Sequence, residues 1–283
     1  MKVKQRRFRR RPGIILRLAI AAALVIAAGV GFPGSAASPA YASSGISTDE
    51  GIDGCGWSTA SAQAFYSGTP YWVFGLYVGG SDAGCPVTSS FASTVLSQGW
   101  KAMPLWVGEQ SQCWSGGGSR FSNDPATAYQ QGKNEEANAY GTLSNWGWNM
   151  SGTPIVYDLE AYNTGNSSCV TAAKNFIGGW DAQAHVGISQ QAGVYGSSCG
   201  SDLTAYASSS TVPDFIDGAD WNGNNITTDL ACVPSGYWVN SQRIKQYTGG
   251  HNETWNGYTV NVDNDCLNAP TYPSGGHSSQ GCT

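Results

Sequence analysis

Eight short apolar runs, separated by turn-rich or helix-like stretches, constrain the fold of this chain more than any other feature of its sequence. They are Gly51–Cys55, Tyr71–Gly79, Lys101–Val107, Pro154–Glu160, Ala192–Gly196, Phe215–Trp221, Arg243–Thr248 and Tyr258–Asp263. Val73, Phe74, Leu76, Tyr77 and Val78 are nearly continuous, the pattern of a strand covered on both faces. Between the runs lie helix signals. Asp124-Pro125 offers an N-cap and a proline at the first helical position, ahead of a stretch reaching about Trp146. Val170, Ala173, Ile177, Trp180 and Ala184 recur at spacings of three and four, one apolar face of a helix. Thr59–Ser67 and Ser89–Gln98 are shorter candidates, and the crossovers after the fifth to eighth runs carry little helical signal. Eight strands with helical crossovers predict an α/β, single-domain TIM-like (β/α)8 barrel. An open doubly wound sheet is the alternative. No GxGxxG follows the first run and no GxxxxGK[ST] occurs, so the usual nucleotide-binding signatures are missing.

The eight cysteines fit the barrel. Their number is even and no C-x-x-C occurs, which favours four disulfides over zinc or thioredoxin-type chemistry. Eight cysteines allow 105 pairings, and spacing alone does not choose among them. On the barrel reading, Cys55 ends the first strand and Cys85, Cys113, Cys169, Cys199 and Cys232 each follow one, so they collect at its carboxyl face. Neighbouring loops would then be stapled as 55–85, 113–169 and 199–232, leaving 266–282 to fasten the tail.

Disulfides call for an oxidising compartment, and the amino terminus supplies a route to one. Eight of the fourteen basic residues lie within Met1–Arg17, ahead of the apolar Ile14–Phe32 and the cleavage-like Ala40-Tyr41-Ala42. This order is that of a secretory signal, predicted over residues 1–42. An uncleaved anchor is the alternative. Arg6-Arg7-Phe8 misses the twin-arginine spacing. Cleavage would leave six basic against nineteen acidic residues, a net charge of −13 in place of −5. That balance argues against nucleic acid or anionic lipid as partner. The mature chain is expected to be a secreted, extracellular or cell-wall-associated monomer with no membrane contact after cleavage. It is divided into a polar segment (43–50), the barrel (51–269) and a Gly/Ser-rich tail (270–283) carrying Cys282.

The strongest chemical signal is Pro154-Ile-Val-Tyr-Asp-Leu-Glu160. Side chains alternate along a strand. Val156, Asp158 and Glu160 therefore share one face, and Ile155, Tyr157 and Leu159 share the other. In a barrel the carboxylates would point inward at the carboxyl end, where such folds place their active sites. Two close carboxylates raise one another's proton affinity, so that one stays protonated while the other ionises. Glycoside hydrolysis needs that division. Rim carboxylates that merely bind backbone amides are the competing explanation. Asp53, Asp220 and Asp263 end other runs, and Glu109 lies just past the third. Tyr77, Trp106, Tyr162, Tyr195, Trp221 and Tyr247 lie near strand ends, where aromatic planes suit sugar rings or fill the core. Asp263-Asn264-Asp265 has the alternating oxygens of a calcium loop but no full EF-hand pattern follows. Three scattered histidines (His185, His251 and His277) and the lack of G-x-S-x-G leave zinc and serine-triad chemistry without support. No metal and no cofactor is expected.

Six motifs occur in order: Gly51-Ile-Asp-Gly-Cys55, Gly75-Leu-Tyr-Val-Gly-Gly80, Gly99-Trp-Lys with Pro104-Leu-Trp-Val-Gly108, Gln131-Gly132 before Glu135-Glu136-Ala137, Ile155-Val-Tyr-Asp-Leu-Glu-Ala-Tyr162, and Gly193-Val-Tyr-Gly-Ser197. Over about Gly51 to Asp265 the chain resembles the secreted actinobacterial, Rv2525c-like glycoside hydrolase-like domain. It is more distantly similar to family 25 lysozymes. The resemblance implies a TIM-like barrel with a pocket at its carboxyl face. It implies Glu160 as general acid and Asp158 as its partner, orienting an N-acetyl group or steering a water. Asp53 and Asp263 would complete an acidic pocket, and Tyr195 would position the sugar. With Tyr77, Asp220 and Trp221 these form the expected substrate-binding set. The loops with Trp114 and Gly116–Gly118 depart from lysozyme patterns.

The expected function is a glycoside hydrolase acting on peptidoglycan or another N-acetylated polysaccharide. The competing readings are a non-catalytic carbohydrate-binding barrel and an all-β lectin. The helical stripe at Val170–Ala184 speaks against the last.

Overall fold

A computed structural model describes residues 45–273, except 188 and 202, together with residue 282. The expected leader (1–42) and most of the Gly/Ser-rich tail lie outside the described residues. Along the chain run β1 (Gly45–Ser47), β2 (Glu50–Asp53), α1 (Thr59–Gly68), β3 (Val73–Gly79), α2 (Ser89–Gln98), β4 (Lys101–Trp106) and α3 (Pro125–Asn145). Then follow β5 (Pro154–Asp158), α4 (Ser167–Ala184), β6 (Gln191–Ser197), α5 (Leu203–Tyr206), β7 (Phe215–Ala219), β8 (Arg243–Trp255) and β9 (Tyr258–Thr271). The helices start where side chains satisfy their first free amides. Ser58 and Ser61 form a capping box on α1, Thr88 caps α2, Asp124 caps α3 ahead of its proline, and Asn166 caps α4.

β2 to β8 pair in sequence order and in parallel. β9 pairs antiparallel with both β8 and β2 and closes the barrel. The eighth strand is thus antiparallel, not a parallel member of a regular (β/α)8 repeat. The cause is local. Asn256 and Gly257, the two residues between β8 and β9, both have positive φ (47° and 84°). A two-residue turn of that kind makes a hairpin, and a hairpin is antiparallel. Gly45–Ser47, read from sequence as part of a polar segment, forms β1 and pairs with Ala269–Thr271. Ordered structure therefore reaches into both expected flanking segments. Among the described residues, the second half of the barrel holds only the four-residue α5 between strands, as the weak helical signal there predicts.

Two apolar layers flank the strands. Val73, Met103, Val156, Phe215, Ile244 and Leu267 fill the lumen. Ile155, Tyr157 and Leu159 join Phe176 and Trp180 of α4 in the outer layer. α3 and α4 press together at Gly132 and Gly179, where a Cβ would stand 1.9 Å from Phe176 O and 2.0 Å from Tyr129 O. The four disulfides are Cys55–Cys85, Cys113–Cys169, Cys199–Cys232 and Cys266–Cys282. The first three tie neighbouring loops at the carboxyl face. The fourth lies toward the other end, because Cys266 of the antiparallel β9 sits opposite Glu50. Among the described residues no helix is long and apolar enough to cross a membrane.

Candidate active site

Backbone register alone gathers an acidic ring. Asp158 of β5 lies opposite Tyr195 of β6, and Tyr195 lies opposite Asp217 of β7. Across the closing seam Asp53 faces Asp263, and Asp265 sits between Gly51 and Gln246. A cavity of about 260 Å³ opens over this ring, lined by Asp53, Tyr77, Asp158, Glu160, Tyr195, Asp217, Trp221, Gln246 and Asp263 with Leu105 and Gly250. Gly75 leaves room below: a Cβ there would meet that of Asp53 at 2.5 Å.

Hydrogen bonds fix the floor. Tyr77 OH donates to Asp53 Oδ1 (2.7 Å) and Gln246 Nε2 donates to Asp53 Oδ2 (3.0 Å). Gln246 Oε1 accepts from Tyr195 OH (3.1 Å) and from Trp221 Nε1 (2.9 Å). Gly250 N donates to Asp263. Gln110, fully buried, holds the end of β5. Its Nε2 donates to Asp158 O (2.8 Å) and its Oε1 accepts from Glu160 N (2.9 Å). The two acids are therefore presented by a clamped backbone.

Burial and mutual repulsion raise the proton affinity of these groups. Burial, then Asp263, pushes Asp53 up to about 7, against the hydrogen bonds from Tyr77 and Gln246. Burial, then Glu160, Asp53 and Asp217, holds Asp158 well above the usual carboxylate range. Its Oδ1 is buried and has no hydrogen-bond partner among the described residues. Asp217 and Asp265 are raised in the same way, burial first. Glu160, nearer the mouth, is raised by burial and moderated by the Ala161 amide. Among the described residues no basic side chain lines the cavity.

Seven expected site residues line this cavity: Glu160, Asp158, Asp53, Tyr77, Tyr195, Trp221 and Asp263. Asp220 does not. It accepts from Ala231 N (2.9 Å) and borders a neighbouring hollow. Trp106 donates to Glu135, and Tyr162 packs in the outer layer beside Tyr206. Glu109 binds Gln131 (2.8 Å), and Tyr247 does not line the cavity. Asp217, Gln246, Asp265 and Gln110 are the additions. Alternation from Phe215 or Ile244 reaches the first two, but nothing local in the sequence marks Gln110. The oxygens of Asp263-Asn264-Asp265 do not converge as a calcium loop requires, since Asn264 turns away to Tyr71 and Glu253. Among the described residues no group of three or more His, Cys, Asp or Glu is disposed to hold a metal ion.

The family described as Rv2525c-like, glycoside hydrolase-like domain matches residues 63–267. Comparison with curated proteins found no match. Among solved structures, an uncharacterized protein from B. stearothermophilus is 14% identical, with 77% of this chain and 95% of that one aligned at a TM-score of 0.51. A bacterial lysozyme from Streptomyces coelicolor is 16% identical over 79% and 93%, at 0.49. A family 25 glycosyl hydrolase from Bacillus anthracis is 11% identical over 77% and 88%, also at 0.49.

Proposed function

The chain belongs to the Rv2525c-like, glycoside hydrolase-like family, and from that premise we propose that it hydrolyses a polysaccharide through Glu160 and Asp158. The observation that carries the reading is their side-by-side placement at the end of one clamped strand, in a cavity lined by three further acids, Asp53, Asp217 and Asp263. Hydrolysis of a glycosidic bond passes through a positively charged, oxocarbenium-like ring. A developing positive charge beside the raised carboxyls favours their ionised form, and the carboxylates so formed stabilise it. Glu160 stands nearer the mouth and its carboxyl is raised, a shift that suits it to hand a proton to the leaving oxygen. Asp158 lies deeper and holds its proton more tightly. Its role is to orient an acetamido group or a water, with Tyr195 positioning the sugar and Asp53, Tyr77 and Asp263 shaping the floor. N-acetylated polysaccharide, peptidoglycan included, is the substrate class we propose. Export is part of the proposal. The predicted leader and four disulfides support it, since such bonds persist in oxidising compartments.

The test compares wild type, Glu160→Gln and Asp158→Asn on peptidoglycan, on N-acetylated oligosaccharides and on an aryl glycoside with an acidic phenol. Loss of the acid costs about 10²- to 10⁴-fold in kcat. Glu160→Gln is expected to fall by about that on the natural bond and to keep most activity on the aryl glycoside, whose leaving group needs little protonation. Asp158→Asn is expected to fall on both. No release by wild type, or equal release by all three, would sink the catalytic assignment. Oligosaccharide binding without turnover would favour a carbohydrate-binding barrel.

A further inference from the structure

A second cavity, of about 430 Å³, adjoins the first and shares Glu160, Tyr195 and Trp221 with it. We propose that this second cavity binds the leaving-group sugar of an uncharged polysaccharide segment, so that the chain is cut at Glu160, between the two hollows. The inference rests on the hydrolase reading and gives it a direction.

The linings of the two cavities differ. The first carries Asp53, Asp158, Asp217 and Asp263. Beyond the shared residues, the second is walled mainly by small neutral side chains, among them Ala161, Ser198, Ala219 and Ala231. Its own acid, Asp220, is engaged by the Ala231 amide at 2.9 Å. Glycoside cleavage has a matching asymmetry. Positive charge develops on the ring that keeps the anomeric carbon, and the departing oxygen takes a proton. The ring that becomes charged therefore suits the acidic cavity. The departing sugar stays neutral and suits the other. The acid must stand between them, and Glu160 borders both.

Trp221 marks the same junction. It is 65% exposed, yet its ring is fixed. The indole N–H donates to Gln246, and the ring leans on Gly249, where a Cβ would stand 2.5 Å away. A fixed, open aromatic plane is a platform for a sugar ring. A disulfide also stiffens the lining. Cys199 lines the second cavity and is bonded to Cys232, the residue after Ala231. An acidic sugar would meet Glu160 and Asp220 there, so the expected occupant is uncharged. In the step itself, Glu160 gives its proton to the departing oxygen. The bond between that oxygen and the anomeric carbon breaks, leaving its electron pair on the oxygen. Water then supplies the new bond to carbon, and its released proton restores the acid.

Binding tests this without turnover. Glu160→Gln protein is titrated with N-acetylated chito-oligosaccharides of one to six units. Affinity is expected to rise at least tenfold from one unit to four. Ala231→Trp, added to that background, is expected to erase the gain while monosaccharide affinity changes less than twofold. Both Ala231 and Ala161 line the cavity and are solvent-exposed, so Ala161→Trp fills it from a second position and guards against a folding artefact. A gain with length that both variants keep, or no gain at all, overturns the second site. Turnover by wild type alongside either result leaves the hydrolase reading standing. No binding of any oligosaccharide removes both.

Discussion

The lumen of the barrel holds two unlike layers on the same strands. Val156, Phe215, Ile244 and Leu267 are fully buried in an apolar plug. One pleat nearer the mouth, the same strands carry Asp158, Asp217, Gln246 and Asp265. Four strands thus make the same step, from an apolar residue to a polar one two positions away. The period of two keeps both residues on the inner face. What changes is only height along the barrel. The lower layer secures closure of the sheet, and the upper layer stores carboxylates that would cost too much without the scaffold below.

The sharpest way to break this comparison is to exchange the layers' properties at one strand. Phe215→Ala leaves a cavity in the plug and is expected to cost about 3–5 kcal/mol. Its neighbour on the same face responds in the opposite sense. Asp217→Asn removes a group whose ionised form is disfavoured by burial and by Asp53 and Asp263. The denaturation midpoint at pH 7 is expected to stay level or rise, while turnover falls. Chemical denaturation of both variants at one pH checks the pair. Equal destabilisation would mean the two layers are one structural unit.

A second test sharpens the comparison through pH. The upper carboxyls are raised in the folded chain: Asp53 to about 7, with Asp158, Asp217 and Asp265 higher than ordinary. Glu136, buried on α3, is also raised by desolvation to about 7. In the unfolded chain such groups ionise near 4. Between about pH 4 and 7 the folded state therefore binds more protons, and stability falls as pH rises. It is greatest below the unfolded values and lost on approach to the folded ones. Each such group contributes a slope of at most about 1.4 kcal/mol per pH unit. The expected result is a higher Tm at pH 5 than at pH 7.5, with a smaller difference in Asp53→Asn. A Tm that climbs with pH over this window would refute the protonated floor.

These layers were unequally legible. Apolar runs and caps announce β2 to β7 and α1 to α4, because each rests on local pattern. The alternation in Pro154–Glu160 puts Asp158 and Glu160 on the inner face for the same reason. The same rule applied from Phe215 reaches Asp217, since Ile216 joins the outer layer. Asp220, nearer the end of that run, falls on the other parity and binds the Ala231 amide. The antiparallel closure was also in plain view, in Trp255-Asn256-Gly257-Tyr258, a strong hairpin signal. A barrel of eight equivalent parallel units leaves no place for that hairpin. Gln110 was not legible, since its role depends on a loop after β4 reaching the end of β5. β1 was hidden too, as three residues gain a partner only where β9 overruns the barrel.

A smaller effect is expected at the joint between the cavity floor and rim. Gln246→Leu removes the amide that links Asp53 to Tyr195 and Trp221. An unpaired buried polar group costs about 1–3 kcal/mol, and relaxation toward solvent at Trp221 favours the low end. Because the Gln246 donor lowers the proton affinity of Asp53, its loss should move the Asp53 titration further up. Carboxyl-carbon NMR across pH 5 to 9 reads that shift directly. A downward movement would show that Gln246 does not stabilise the ionised form.

The smallest effect is expected at Asp220, and it separates position along a strand from direction across it. Asp220 lies three residues beyond Asp217, past the end of β7, and its carboxylate accepts from the Ala231 amide instead of lining the acidic cavity. Asp220→Asn keeps an oxygen for that amide. Surface changes of this kind stay within about 0.5 kcal/mol, and turnover should remain near wild type. Asp217→Asn, one pleat from Phe215 on the inner face, should lose most of its activity. Measured side by side under one set of conditions, the two substitutions ask whether acidity near the mouth is enough. If Asp220→Asn were as damaging as Asp217→Asn, the charge of Asp220, and not only its hold on the Ala231 amide, would act on the substrate. The acidic ring would then be only part of the site. If only Asp217→Asn is damaging, inward direction is what divides the acids that serve the cavity from those that hold a loop.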